Sequence, residues 1–93
     1  MSIQLSRILN MDHELLTQRL GRQIRTRRLH RGLTQQQLAE LANLTRQKII
    51  AVEKGSLSVA IAAYAKALGA MDCELQVIAA AMPTLEEIQG MFE

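Results

Sequence analysis

Thr45 is a residue type suited to capping a helix, and Arg46, Gln47 and Lys48 follow it directly. A helix starting there would carry Arg46, Gln47, Ile50 and Ala51 on its solvent-facing side. Those side chains suit one kind of chemistry. An arginine fork matches the O6 and N7 acceptors of guanine, a glutamine amide matches N6 and N7 of adenine, and an apolar side chain meets the thymine methyl. A single helix carrying such a stripe fits a major groove about 12 Å wide. Ile50 has a second reading, as a peripheral member of the core. Phosphate contacts would fall to Thr34 and Gln35 at the start of a preceding helix, to Thr45, and to Lys48 and Arg22. At helix starts, free backbone N–H groups and the helix dipole favour an anion.

Two short helices must position these groups. Thr34 and Gln37 have capping-box spacing and open the first, whose apolar face is Leu38, Leu41 and Ala42. Ile49 and Val52 recur on the inner side of the second, and Gly55 ends it. The steep corner between them calls for a small residue, Ala39, and a left-handed backbone, for which Asn43 is tolerable. Upstream, Asp12 is expected to cap a helix reaching His30, with Met11 and Leu16 as a hydrophobic staple and Leu16, Leu20 and Ile24 as its buried stripe. Gly21 inside that helix costs on the order of 1 kcal/mol, which suggests a start nearer Leu20. Downstream, Val59 to Leu68 reads as a helix with Ile61, Tyr64, Ala65 and Leu68 inward and Gly69 closing it.

The segment Leu33-Thr34-Gln35, with Ala39 at the small position and Glu53-Lys54-Gly55 at the close, resembles the phage-repressor type (Xre) helix-turn-helix family over roughly residues 20 to 69. The resemblance implies a mainly α, four- to five-helix bundle that reads double-stranded DNA. It also implies that Arg28 and Glu53 meet as a structural ion pair beneath the DNA-facing surface. The residues alone show only that both lie near otherwise apolar faces, and the alternative is that Arg28 is a solvated or phosphate-contacting arginine.

Charge is distributed to the same end. Between Arg19 and Lys54 nine basic residues face only Glu40 and Glu53, whereas the remainder is net acidic, so the formal charge of +2 conceals a strongly basic middle. Taken alone, a solvated basic helix would explain the run. Only Tyr64 and Phe92 are aromatic, too few for the stacking platforms that single-stranded nucleic acids need. One cysteine allows no internal disulfide, no apolar run approaches a membrane span, and no secretory signal is evident, so a cytoplasmic protein is expected. His13 and His30 have no Cys or carboxylate at metal-ligand spacing. No nucleophile stands beside a base, and no enzyme, cofactor or metal site is expected.

After Gly69 the pattern changes. Met71, Cys73, Leu75 and Val77 alternate with Asp72, Glu74 and Gln76, the period of a half-buried strand. A lone strand among helices lacks a ladder partner, and a second copy across a two-fold axis would supply one. Cys73, Leu75 and Val77 are therefore expected at a dimer interface, with Cys73 a packed hydrophobe; Ala79 to Ala81 would also permit a helical continuation. Further on, Thr84 and Glu87 form a second capping box, with Leu85, Ile88, Met91 and Phe92 on one side of a two-turn helix. So short a helix needs a groove, either in its own dimer or in a partner protein.

A bundle followed at once by a dimerising strand resembles the HipB type of antitoxin, the match lying in Leu20 and Arg28, in Thr34-Gln35, in the short link from Glu53 to the fourth helix, and in the strand Cys73 to Val77. That resemblance implies a homodimer on an inverted-repeat operator, autoregulation, and a HipA-like kinase toxin as partner. The expected organisation is an arm over 1–11, a DNA-binding domain over 12–70, and a dimerisation and partner-binding tail over 71–93. A stand-alone phage-type or restriction-modification controller, and a protein-binding adaptor without DNA affinity, are the alternatives.

Overall fold

The structure, a computed structural model, describes residues 12–91. The expected N-terminal arm, Met11 of the staple, and Phe92 lie outside the described residues. Five helices follow in order: α1 His13–His30, α2 Gln35–Ala42, α3 Arg46–Glu53, α4 Ile61–Ala70 and α5 Leu85–Met91. Helix α1 packs on α3, α2 packs on α3 and α4, and α3 also touches α4. No described helix is long and apolar enough to cross a membrane.

The helix starts follow the capping residues. Asp12 accepts from Leu15 N–H, Thr34 from Gln37 N–H and Thr45 from Lys48 N–H, while the Gln37 side chain accepts from Thr34 N–H to complete the box. Each cap satisfies a backbone donor that a helix start leaves without a partner.

The stops share one device. Gly32, Asn43, Gly55 and Asp72 have positive φ, and the next residue in each case donates to a carbonyl five positions back: Leu33 to Arg28, Leu44 to Ala39, Ser56 to Ala51 and Cys73 to Leu68. This is the left-handed stop in which orphan carbonyls of the last turn are recovered and the chain is turned sharply. Asn43 occupies its expected corner; Asp72 was not foreseen. Because Asp72 supplies the stop, Gly69 does not close α4, which runs on to Ala70.

The core is Ile24, Leu38, Ala39, Ile49, Val52, Ala63, Tyr64, Ala67, Leu68 and Met71, with Leu20, Leu33, Leu44, Val59, Ala70 and Cys73 packed at its edge. Four expected core positions are corrected. Leu41 is 60% exposed because α2 turns Leu38, Ala39 and Ala42 inward instead. Leu16 is exposed and Leu15 buried, so the buried stripe of α1 starts one residue earlier. Ile61 and Ala65 face out of α4, and Ala63 and Ala67 take the inner positions beside Tyr64 and Leu68.

Gly21 lies inside α1, which starts at His13 and not near Leu20. A Cβ at Gly21 would stand 2.6 Å from the Val52 carbonyl oxygen and 2.7 Å from that of Glu53. The glycine is where α1 and the end of α3 touch backbone to backbone. Its helix-propensity cost is outweighed by the approach it allows.

The expected strand over 71–77 is also corrected. Among the described residues there is no strand. Met71 is fully buried as the C-cap of α4, and from Cys73 to Thr84 the chain has no regular structure. A strand requires a ladder, and one copy of this chain provides no edge for it. Cys73 is half-buried, Leu75 is exposed and Val77 is completely exposed.

Candidate nucleic-acid interface

Helix α3 divides sharply into two sides. Ile49, Val52 and Glu53 are buried against the bundle, whereas Arg46, Gln47 and Lys48 are exposed at its first turn. Ile50 and Ala51 are half-buried at the border. Arginine and glutamine therefore lead from the N-terminal end of the helix, and the apolar pair stands behind them.

What holds this helix is charged. The Arg28 Nε donates to Glu53 Oε2 at 2.6 Å and its Nη2 donates to Glu53 Oε1 at 3.1 Å, with both side chains buried. Arg28 Nη1 donates to the Leu33 carbonyl at 2.8 Å, and Gln35 Nε2 donates to Glu53 Oε1 at 3.3 Å. No buried side-chain nitrogen or oxygen among the described residues lacks a partner. A buried ion pair is tolerable only with its remaining hydrogen-bonding capacity satisfied, as here. The network ties the last residue of α3 to α1 and to the first residue of α2, fixing the angle at which α3 leaves the bundle.

The expected phosphate contacts fare differently. Thr34 and Thr45 are exposed at the starts of α2 and α3, and Lys48 is exposed in the first turn of α3. Gln35 is half-buried, with its amide turned to Glu53, which makes it a support for α3 as well as a neighbour of the surface. Arg22 is exposed on α1 but already has an acidic partner. Its Nη2 donates to Glu87 Oε2 at 2.7 Å.

A shallow concavity instead brings Arg25, Arg28, Thr34, Gln35, Gln36 and Arg46 together. Sequence reasoning missed Arg25 and Gln36. The available signal was spacing: Arg19, Arg22, Arg25 and Arg28 recur every third residue, so the row that ends at the buried Arg28 passes through Arg25 one step earlier. Arg25 is exposed on that row.

The tail was expected to meet a groove, and in this chain it meets α1. Thr84 and Glu87 form the expected box, Thr84 N–H donating to Glu87 Oε1 at 2.9 Å and Glu87 N–H to Thr84 Oγ1 at 3.2 Å. Arg19 then donates from Nε to Glu87 Oε2 at 2.6 Å and from Nη2 to Oε1 at 2.9 Å. Its Nη1 also reaches the Ala81 carbonyl at 3.3 Å. The Arg19 side chain, followed by the Thr84 backbone N–H, holds the Glu87 carboxyl down at about 2. Leu85 is 71% exposed and Ile88 half-buried, so the contact is made chiefly through charge. Met91 ends α5.

Among the described residues no cluster of His, Cys, Asp and Glu is placed to hold a metal ion. A family model for the helix-turn-helix domain matches residues 19–77, more than half of the chain. No curated protein matches the sequence.

Proposed function

Because the chain belongs to the helix-turn-helix domain family, we propose that it is a sequence-specific, double-stranded DNA-binding repressor that acts as a homodimer on an inverted repeat. One observation carries this reading: α3 presents Arg46, Gln47 and Lys48 at an exposed first turn while its last residue, Glu53, is clamped to α1 through Arg28. A helix that reads base edges must be held at a fixed angle, since hydrogen bonding to guanine or adenine discriminates only at the correct geometry. Arg25, Thr34 and Lys48 around it supply the phosphate contacts that set register.

The homodimer is supported by the alternation of Cys73, Leu75 and Val77 and by the exposure of Leu75 and Val77 in the single chain. Pairing of the 73–77 segments across a two-fold axis would complete both backbones. Two reading helices would then address half-sites about one helical turn apart. Resemblance to the HipB antitoxins extends the proposal to autoregulation beside a HipA-like kinase toxin, with Leu85, Ile88, Met91 and Phe92 as the surface offered to it. The protein performs no catalysis in this reading.

Selection from a random duplex library tests it. Enrichment of an inverted repeat, with affinity falling steeply as salt rises, is expected; a pool with no repeat, or salt-independent binding, overturns it. Co-expression with the product of the adjacent reading frame, followed by sizing of the purified mixture, tests the antitoxin role.

A further inference from the structure

The Glu87 carboxylate sits between two arginines of α1, accepting from Arg19 at both oxygens and from Arg22 at Oε2. We propose that Arg19 and Arg22 form a second phosphate-binding site flanking the DNA-reading face, kept covered by the chain's own C-terminal helix. The proposal rests on duplex binding by α3.

The row Arg19, Arg22, Arg25, Arg28 carries it. Three residues turn a helix by 300°, so each step along the row shifts about 60° round the axis. Three such steps add to about 180°, so Arg19 stands on the side of α1 opposite Arg28, with Arg22 and Arg25 between them. The row's inner end, Arg28, is taken by Glu53; Arg25 lines the concavity with Arg46; and its outer end, Arg19 with Arg22, is taken by Glu87.

The two glutamates make the same two-pronged contact but stand on unlike supports. Glu53 ends a helix packed into the core. Glu87 lies on seven-residue α5, at the end of a segment without regular structure. A helix of two turns is marginal in water, so its position depends on the bonds to Arg19 and Arg22. Those bonds are exchangeable, because the guanidinium fork accepts carboxylate and phosphate in the same geometry. Covering the pair in cis sets a competitor of high effective concentration against DNA. Release of α5 uncovers two arginines that share a shallow concavity with Gln23, Thr26, Arg27 and His30, Arg22 standing one step along the row from Arg25.

The experiment compares duplex binding by the full chain and its variants over a range of salt, using the selected duplex and a random-sequence duplex. Glu87→Gln uncovers the site. It should bind roughly tenfold tighter near 0.1 M salt, with a log–log salt slope steeper by about 1 to 2, because each added phosphate contact releases close to one counterion. Glu86→Gln removes the same charge from the exposed neighbouring position and should leave the slope near that of the parent. Adding Arg19→Gln and Arg22→Gln to Glu87→Gln should return the slope to the parental value. A Glu87→Gln protein that behaves as Glu86→Gln does, while the parent binds, overturns the covered site alone. Failure of every protein to bind either duplex overturns the DNA-binding reading, and the covered site with it.

Discussion

Gly21 of α1 lies against the backbone of Val52 in α3, so closely that a single methyl group at Gly21 would come within 2.6 Å of the Val52 carbonyl oxygen. Backbone does not yield as a flexible side chain would. Gly21→Ala is therefore expected to destabilise by about 1–3 kcal/mol through overpacking, although helix propensity alone would favour it by roughly 1 kcal/mol. Urea unfolding decides the sign. A variant as stable as the parent would mean that α1 and α3 are not held at this distance.

Arg28 and Glu53 are expected to be far more costly to separate than to replace together. Glu53→Leu or Arg28→Met leaves one buried charge without its partner and should lose about 3–5 kcal/mol. The double variant Arg28→Met with Glu53→Leu should recover most of that, since two buried charges are removed with their desolvation cost. A double-mutant cycle measures the coupling, which additivity of the two single losses would disprove.

Acid should release the tail. The Glu87 carboxyl lies at about 2 in the folded chain against an ordinary value of 4.5. A depressed carboxylate contributes its stabilisation fully above 4.5 and loses it as pH falls from 4.5 towards 2. Protection of α5 from proteolysis by an acid-active protease should therefore decline across that window, and Glu87→Gln should be unprotected at every pH. An identical pH profile for parent and variant would show that Glu87 does not hold α5.

Base reading and backbone holding should separate by residue. Arg46→Ala or Gln47→Ala is expected to cost about 1–3 kcal/mol on the preferred duplex and to relax discrimination at particular base pairs. Lys48→Ala and Arg25→Ala should weaken all sequences alike and lower the salt slope by about 1 each. Competition with single-base variants of the selected duplex distinguishes the two patterns, and equal losses on every duplex for Arg46→Ala would remove it from the base-reading set.

Pairing through residues 73–77 predicts that Leu75→Asp with Val77→Asp yields a monomer, because charges on a covered apolar face cost several kcal/mol. Both side chains are exposed in the single chain, so the monomer's own fold should be unaffected. Sedimentation at micromolar concentration reads the outcome directly. A dimer that persists in the double variant places the interface elsewhere.

What the sequence by itself determined is local: the caps at Asp12, Thr34, Thr45 and Thr84, the left-handed corner at Asn43, and the exposed first turn of α3. The caps and the corner follow from groups that meet within a few residues, so their partners are named by local sequence alone. The Arg28–Glu53 pair was legible only through family resemblance, because opposite charges far apart in sequence carry no sign of who meets whom. Tertiary structure alone decided three other things. Gly21 changed from a helix defect to a contact point once α3 lay across it, and the alternation after Gly69 was cut by Asp72, whose backbone was needed to stop α4. Arg22, free by its spacing, was claimed by Glu87 from the far end of the chain. Periodicity records which side of an element is apolar, and only the packed chain determines what covers it.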